Sequence, residues 1–341
     1  MPDHVPPVAD SRFWGEERGL AGACYPVACR GLDAAAMLRR LWREFVSPDL
    51  RARFAELLEL SEEESRRLLE FWAAAHDIGK ITPSFQAQVE IPDGYEPDEV
   101  TAPHDEATQH ALWPLLIELG CPVEVAKWAA QLLGGHHGRF NAIDRNCRSP
   151  VKSRTLGLGD ERWARQRSDT LRVWLAVLEP PVPRRFEPAA ANVVTGLVIL
   201  ADWLASRIPY VLKRLPDVPE RGDVASLDSF LHGSLAEAPA VVAEAGFSPL
   251  RLRSGSFAEE FPEFSANELQ RDIAERLPSS LGVGKAVGWT AAGGEGEHVV
   301  PGGFGAWAAA LRGGTTECRA WTGRTVRPCP GPATGNSPTR S

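Results

Sequence analysis

The stretch FWAAAHDIGKITPSFQ, residues 71–86, carries an apolar helical run into an adjacent histidine and aspartate, with Gly79 and Lys80 directly behind. Two aromatics followed by three alanines suit a buried helix, and glycine just beyond suits its end. His76 and Asp77 then have two meanings. A histidine fits the negative end of the helix dipole and glycine is common past a helix, so a simple C-terminal cap would account for all four residues. An imidazole beside a carboxylate at a fixed helix end is equally the beginning of a metal site.

Outward from this stretch the chain reads as helices. Ser61 and Glu64 have the spacing of a capping box, and Leu68, Leu69, Phe71 and Trp72 supply one apolar face, which predicts a helix over 61–75 delivering His76 and Asp77 at its end. A second helix is expected from about Pro103 to Leu119, kinked at Pro114 and ended by Gly120. A third, over about 123–133, stops at Gly134-Gly135, immediately before His136 and His137. The segment NVVTGLVILADWLASR, 192–207, is the most apolar of all, yet it contains Asp202. A buried carboxylate without a partner is costly, so Asp202 is expected either to meet a cation or metal or to lie on the helix's one wet face. Alternating strand-like runs are scarce up to about residue 240, so the fold class is all-α.

Composition narrows the function. With 341 residues, 43% apolar and 24% charged, the chain can bury an ordinary core. No apolar run reaches the roughly 18 residues of a membrane span, and the N-terminal residues lack the basic-then-apolar order of a secretory leader, which predicts a cytoplasmic protein with no membrane partner. Six cysteines, at 24, 29, 121, 147, 318 and 329, show neither zinc-like nor disulfide-like spacing and are read as reduced packing residues. A net charge of −8 argues against a general nucleic-acid coater, whose affinity comes from Lys and Arg on phosphates. The loop GRFNAIDRNCRSPVKSR, 138–154, is the exception, with five Lys/Arg against one Asp. Arg139, Arg145 and Arg148 would track a nucleic-acid backbone there and Phe140 would stack on a base; a solvated basic loop is the plainer alternative.

Four histidines fall in three settings at helix ends: AHDIGK with His76, APHDEATQH with His104, and LLGGHHGRF with His136 and His137. Imidazoles and carboxylates without cysteine are ligands for divalent transition metals rather than for a structural zinc. With Asp77 and Asp202 they make six possible ligands, enough for two ions if Asp77 bridges them. Each signal alone has a bland counterpart: a cap for His76-Asp77, an ordinary loop for the His pair, a helix N-terminus for His104. Their conjunction with a buried-looking aspartate is what points to a site.

The order HDIGK, an isolated His, GGHHG and LADWLAS resembles the HD-superfamily nuclease domain at the N-terminus of the CRISPR-associated nuclease-helicase of type I systems. The similarity also takes in YPVACRGLDAAAMLRRLW (25–42) and FPEFSANELQRDIAERLP (261–278), so it spans roughly residues 10–280. It implies an HD-type helical bundle that cuts single-stranded DNA with transition-metal ions (Mn, Co, Ni or Fe, with Mg as a further option, one or two per chain) after recruitment by a guide-RNA surveillance complex. By motif, His76, Asp77, His104, His136, His137 and Asp202 would be metal ligands, Asp77 and Lys80 would act in catalysis near the phosphate, and Gln270 would match an adenine-recognising glutamine. Two close metals would neutralise a phosphodiester and lower the pKa of a bound water.

Two departures from that pattern bear on activity. The resemblance implies a metal-binding histidine at the place of Arg30, whose guanidinium stays protonated and offers no lone pair. Arg30 would therefore weaken one metal, contact phosphate in its place, or abolish catalysis. The second is the C-terminal composition: residues 281–341 hold 14 of the 31 glycines and no aspartate, and they are read as a disordered or irregular tail. LGVGKA within it is not a phosphate loop, because Ser279 and Ala286 occupy the places of the required Gly and Ser/Thr. The expected organisation is a nuclease domain over 1–245, a linker and helicase-like start over 246–280, and a Gly/Pro-rich tail over 281–341 that suggests a shifted reading frame, without ATP hydrolysis or translocation. Two other functions are compatible with the same residues: a catalytically impaired remnant or DNA-binding adaptor, and an HD phosphohydrolase acting on nucleotides.

Overall fold

A computed structural model of the chain describes residues 6–140 and 156–247, with isolated positions 263, 265 and 268 beyond. Arg145, Arg148, Gln270 and the Gly-rich tail lie outside the described residues. The described elements run β1 (Trp14–Glu16), β2 (Tyr25–Pro26), α1 (Val27–Glu44), α2 (Pro48–Leu58), α3 (Glu62–Ala75), α4 (Pro83–Gln86), α5 (His104–Glu118), α6 (Val123–Gly134), α7 (Glu161–Leu178), α8 (Ala191–Ala205), α9 (Ile208–Arg214) and α10 (Val224–Glu244). The fold is an all-α bundle with one short strand pair.

α1 is the central rod, with fourteen of its 18 residues buried, from Val27 to Trp42. It packs on α3, α8 and α10, while α5 packs on α6 and on the turn that follows α3. Close packing of α3 on α1 is permitted by Ala73, Ala74 and Ala75, all fully buried. Its N-terminus carries the expected capping box, with Ser61 accepting from the Glu64 N–H and Glu64 accepting from the Ser61 N–H. The helices expected over 103–119, 123–133 and 192–207 are α5, α6 and α8.

Two buried polar side chains away from the histidines, Asp33 and Arg167, are paired as burial demands. Asp33 on α1 is fully buried and accepts from the hydroxyls of Tyr25 and Tyr210, each at 2.6 Å. Arg167 on α7 donates to the carbonyls of Ile81 and Leu158, tying the segment after His76-Asp77 to α7 and the residues just before it. Cys29 and Cys121 are buried as packing residues, whereas Cys24 is exposed, in a turn before β2 where no helix covers it.

The antiparallel pair of β1 with β2 escapes sequence patterning because three residues cannot display an alternation. It matters here because it sets Gly15 and Glu16 beside α1 and the end of α3. Among the described residues no single helix is long and apolar enough to cross a membrane; α8 with the following residues to Asp217 reaches that length and composition only as a pair bent by 65°.

Candidate metal centre

The end of α3 is built around a close approach. His76 closes the helix in a right-handed conformation, and Ile78–Lys80 form one 3-10 turn. Gly79 is not a left-handed cap: a Cβ there would lie 2.0 Å from the His104 carbonyl oxygen and 2.3 Å from the Thr108 nitrogen. Glycine lets the first turn of α5 lie directly on the His-Asp turn, where Thr108 Oγ1 accepts from Gly79 N–H and donates to the His76 carbonyl, both at 2.9 Å. Gly134 does the same for α6, since a Cβ would come within 2.5 Å of Gln109 Cβ on α5. His76, His104 and His136 are thereby brought from three helix ends to one place.

At that place the six expected ligands converge. Asp77 Oδ1 lies 3.5 Å from His136 Nε2 and 3.6 Å from His104 Nε2. His104 Nε2 and His137 Nε2 face each other at 2.9 Å. On the other side His76 Nε2 is 3.3 Å from both Asp77 Oδ2 and Asp202 Oδ1. Five of the six fall into two overlapping groups with ligand atoms within 4.8 Å, His104, His136, His137 and His76, His136, Asp77; Asp202 is in neither.

The chemistry of these atoms fits a metal ion. His76 Nδ1 lies 2.6 Å from the Ala73 carbonyl and His136 Nδ1 lies 2.5 Å from that of Leu133. A carbonyl only accepts, so each Nδ1 carries a proton and each Nε2 is turned into the site. His76 Nε2, His136 Nε2 and Asp77 Oδ1 are buried and have no hydrogen-bond partner. His136 Nε2 and Asp77 Oδ1 lie 3.5 Å apart; left unsatisfied in a dry core both would be costly, and a divalent cation satisfies the two together.

Electrostatics separate the two sides. Burial pushes His104 and His136 down to about 4, so both imidazoles are neutral near pH 7. His76 moves the other way: burial opposes its charge, but Asp77 and Asp202 raise it to about 10. Asp77 is held well below the usual carboxylate range, its burial outweighed by His76, Lys80 and Arg30. Lys80, lowered by burial and then by Arg30, is 6% exposed rather than solvated; its Nζ is 2.9 Å from Asp77 Oδ2 and donates to the Gly15 carbonyl at 2.8 Å.

Arg30 is at the centre of the cluster. Its Nε donates to Asp77 Oδ2 at 2.9 Å, its Nη2 to Asp202 Oδ1 at 2.5 Å, and its Nη1 lies 3.6 Å from Glu16 Oε2. Asp202 thus has the cationic partner its apolar helix required. Arg139 and Phe140, at the exposed exit from His137, stand beside this cluster in sequence, and Phe140 packs against Gly135. Sequence reasoning missed Glu16, the Gly15 carbonyl and Thr108. Only the tertiary path of β1 and α5 brings them in, and nothing local in SRFWGEERG or HDEATQH marks them.

With this geometry established, comparison with known proteins is decisive. The family model described as "Cas3, HD domain" matches residues 14–211. The chain belongs to the Cas3 HD-domain family. A curated Cas3 relative, the CRISPR-associated endonuclease/helicase of Thermus thermophilus, is 30% identical over 274 residues, covering 74% of this chain and 28% of its own length. The crystal structure of T. fusca Cas3 with ATP is similar at TM-score 0.72 and 38% identity, over 80% of this chain and 31% of that one. A structure of the Thermus thermophilus Cas3 HD domain in the presence of Ni2+ is similar at TM-score 0.53 and 27% identity, over 70% of this chain and 91% of that one. The chain therefore spans less than a third of the full-length Cas3 proteins it matches and nearly all of a Cas3 HD domain.

Proposed function

We propose that the chain is a metal-dependent nuclease that hydrolyses phosphodiester bonds of single-stranded DNA in CRISPR defence, in the cytoplasm, with residues 1–245 as its catalytic unit. The observation carrying this is the meeting of Asp77 Oδ1 with the Nε2 atoms of His104 and His136, of which Asp77 Oδ1 and His136 Nε2 are buried without a hydrogen-bond partner. His104, His136, His137 and Asp77 would hold a divalent ion, with His76 and Asp202 on the second side. When bound, the ion supplies charge neutralisation for the phosphodiester and acidifies a water.

The protein's own residues prepare that chemistry. Arg30 and Lys80 grip Asp77 Oδ2 and so aim Oδ1 at the imidazoles. Thr108 locks the backbone of the His-Asp turn. Lys80 acts as a positioning residue, because its ammonium is already shared between Asp77 and Gly15. Arg139 and Phe140 are exposed beside His137 and would receive the DNA backbone and a base, together with Arg145 and Arg148 of the same loop. A guide-RNA surveillance complex is the partner this reading requires; a structure titled "CRISPR RNA-guided surveillance complex, pre-nicking" contains a chain 36% identical to this one at TM-score 0.68.

One observation favours a second reading. Arg30 is locked on two of the acidic groups, so a catalytically impaired DNA-binding adaptor would present the same surface. A substrate panel separates the possibilities. With Mn2+ or Co2+ the purified chain is expected to linearise and degrade circular single-stranded DNA and to leave nucleoside mono- and triphosphates intact. Release of phosphate from nucleotides would instead support a nucleotide phosphohydrolase, and tight DNA binding without cutting would support the adaptor.

A further inference from the structure

Resting on the metal-site reading above, we infer that Arg30 is a built-in cation standing where a second divalent ion would otherwise be drawn, so that the chain holds one divalent ion, on the side of His104, His136 and His137.

The two oxygens of Asp77 divide the cluster. Oδ1 is unpartnered and faces imidazole nitrogens of His136 and His104 at 3.5 and 3.6 Å. Among the described residues only imidazoles, and no Arg or Lys, lie within ion-pair distance of that oxygen. Oδ2 instead takes Arg30 Nε and pairs with Lys80 Nζ, each at 2.9 Å. The guanidinium continues to Asp202 Oδ1 at 2.5 Å. The atoms that would make a second cage are His76 Nε2, Asp77 Oδ2 and Asp202 Oδ1, and both of those oxygens are the ones the guanidinium already touches.

Arg30 cannot easily yield the position. It lies within the first two turns of α1, is 5% exposed, and its stem is covered by β1: a Cβ on Gly15 would stand 3.2 Å from Arg30 Cδ. A guanidinium does not give up its proton to make room, as a histidine or lysine does when a metal arrives. A divalent ion on the His76 side would face that fixed charge at close range in a water-poor site, where repulsion is weakly screened.

The full chain loaded with Mn2+, dialysed to equilibrium and assayed for bound metal, tests this, with the electron paramagnetic resonance spectrum as a second readout. One ion per chain with the six-line spectrum of an isolated Mn2+ is expected. Arg30→Gln, which removes the charge and keeps the side chain's bulk, should raise the count from one to two, with the broadened spectrum of a coupled pair. Asp202→Asn, which alters only the far side, should keep one ion and does not depend on Arg30→Gln folding. Two ions on the unaltered chain overturn the inference, as does folded Arg30→Gln that still holds one, or Asp202→Asn that loses its ion. If the unaltered chain binds no ion, the metal-site reading itself falls and this inference with it, whereas a count of two defeats the inference alone.

Discussion

His104 and His136 sit in a pocket that disfavours their charge, and both are pushed down to about 4 by burial. In the unfolded chain each would titrate near 6.5, so between about pH 6.5 and 4 the unfolded state binds protons the folded state refuses. Stability of the metal-free protein should therefore fall as pH drops through that window, by on the order of 3 kcal/mol per imidazole, and level off below it. His76, raised to about 10, has the opposite sign: its contribution is complete below about pH 6.5 and is lost as pH rises towards 10. Urea midpoints measured in a chelator should trace a dome between these limits. A curve flat from about pH 7 to 4.5 would contradict the neutral, buried state assigned to the two imidazoles. At this scale the sequence was informative about residue type and silent about direction. The anomaly of an arginine in YPVACRGLD was visible, but that its guanidinium would close on Asp77 and Asp202, 172 positions from the latter, was not.

Helix ends decide where the site residues go. The Ser61/Glu64 box and the Gly134-Gly135 stop were both readable, because caps and glycines act through local backbone geometry. The purpose of Gly79 was not, since a glycine required by another helix's backbone looks like one required by a turn. Gly79→Ala would drive a Cβ into the His104 carbonyl and the Thr108 nitrogen, both backbone atoms that cannot rotate away. A loss of about 2–4 kcal/mol is expected, seen as a lower melting temperature together with weaker metal uptake, since α5 carries His104. Ser61→Ala, at the opposite end of α3 and solvent-exposed, should cost about 1 kcal/mol and leave metal uptake unchanged. Equal effects of the two on metal uptake would show that the contact of Gly79 with α5 does not position the site. β1 lay below the threshold of patterning, so Glu16 and the Gly15 carbonyl entered the site unannounced.

On the scale of the whole molecule, α1, α5, α8 and the exits of α3 and α6 each contribute one or two side chains to a single cluster. The residue types and their spacing carry the family resemblance on their own, because histidines at successive helix ends are rare by accident. Which helix faces meet is a matter of packing between distant segments and cannot be read from any one of them. The same bundle should gain stability from the ion it holds, and a saturating divalent metal is expected to raise the melting temperature by several degrees, reversed by chelator. The claim on which all else depends is that the cluster around Asp77 makes the chain a metal-dependent nuclease. Its most direct test is single-turnover cleavage of circular single-stranded DNA over a Mn2+ titration, with the unaltered chain beside Asp77→Ala and His136→Ala. Cleavage should rise with metal to saturation in the first, vanish in chelator, and fall by at least about a hundredfold in both variants, the loss expected when a metal's ligand set is broken. Cutting that persists in chelator, or variants that cut as fast as the unaltered chain, would contradict it.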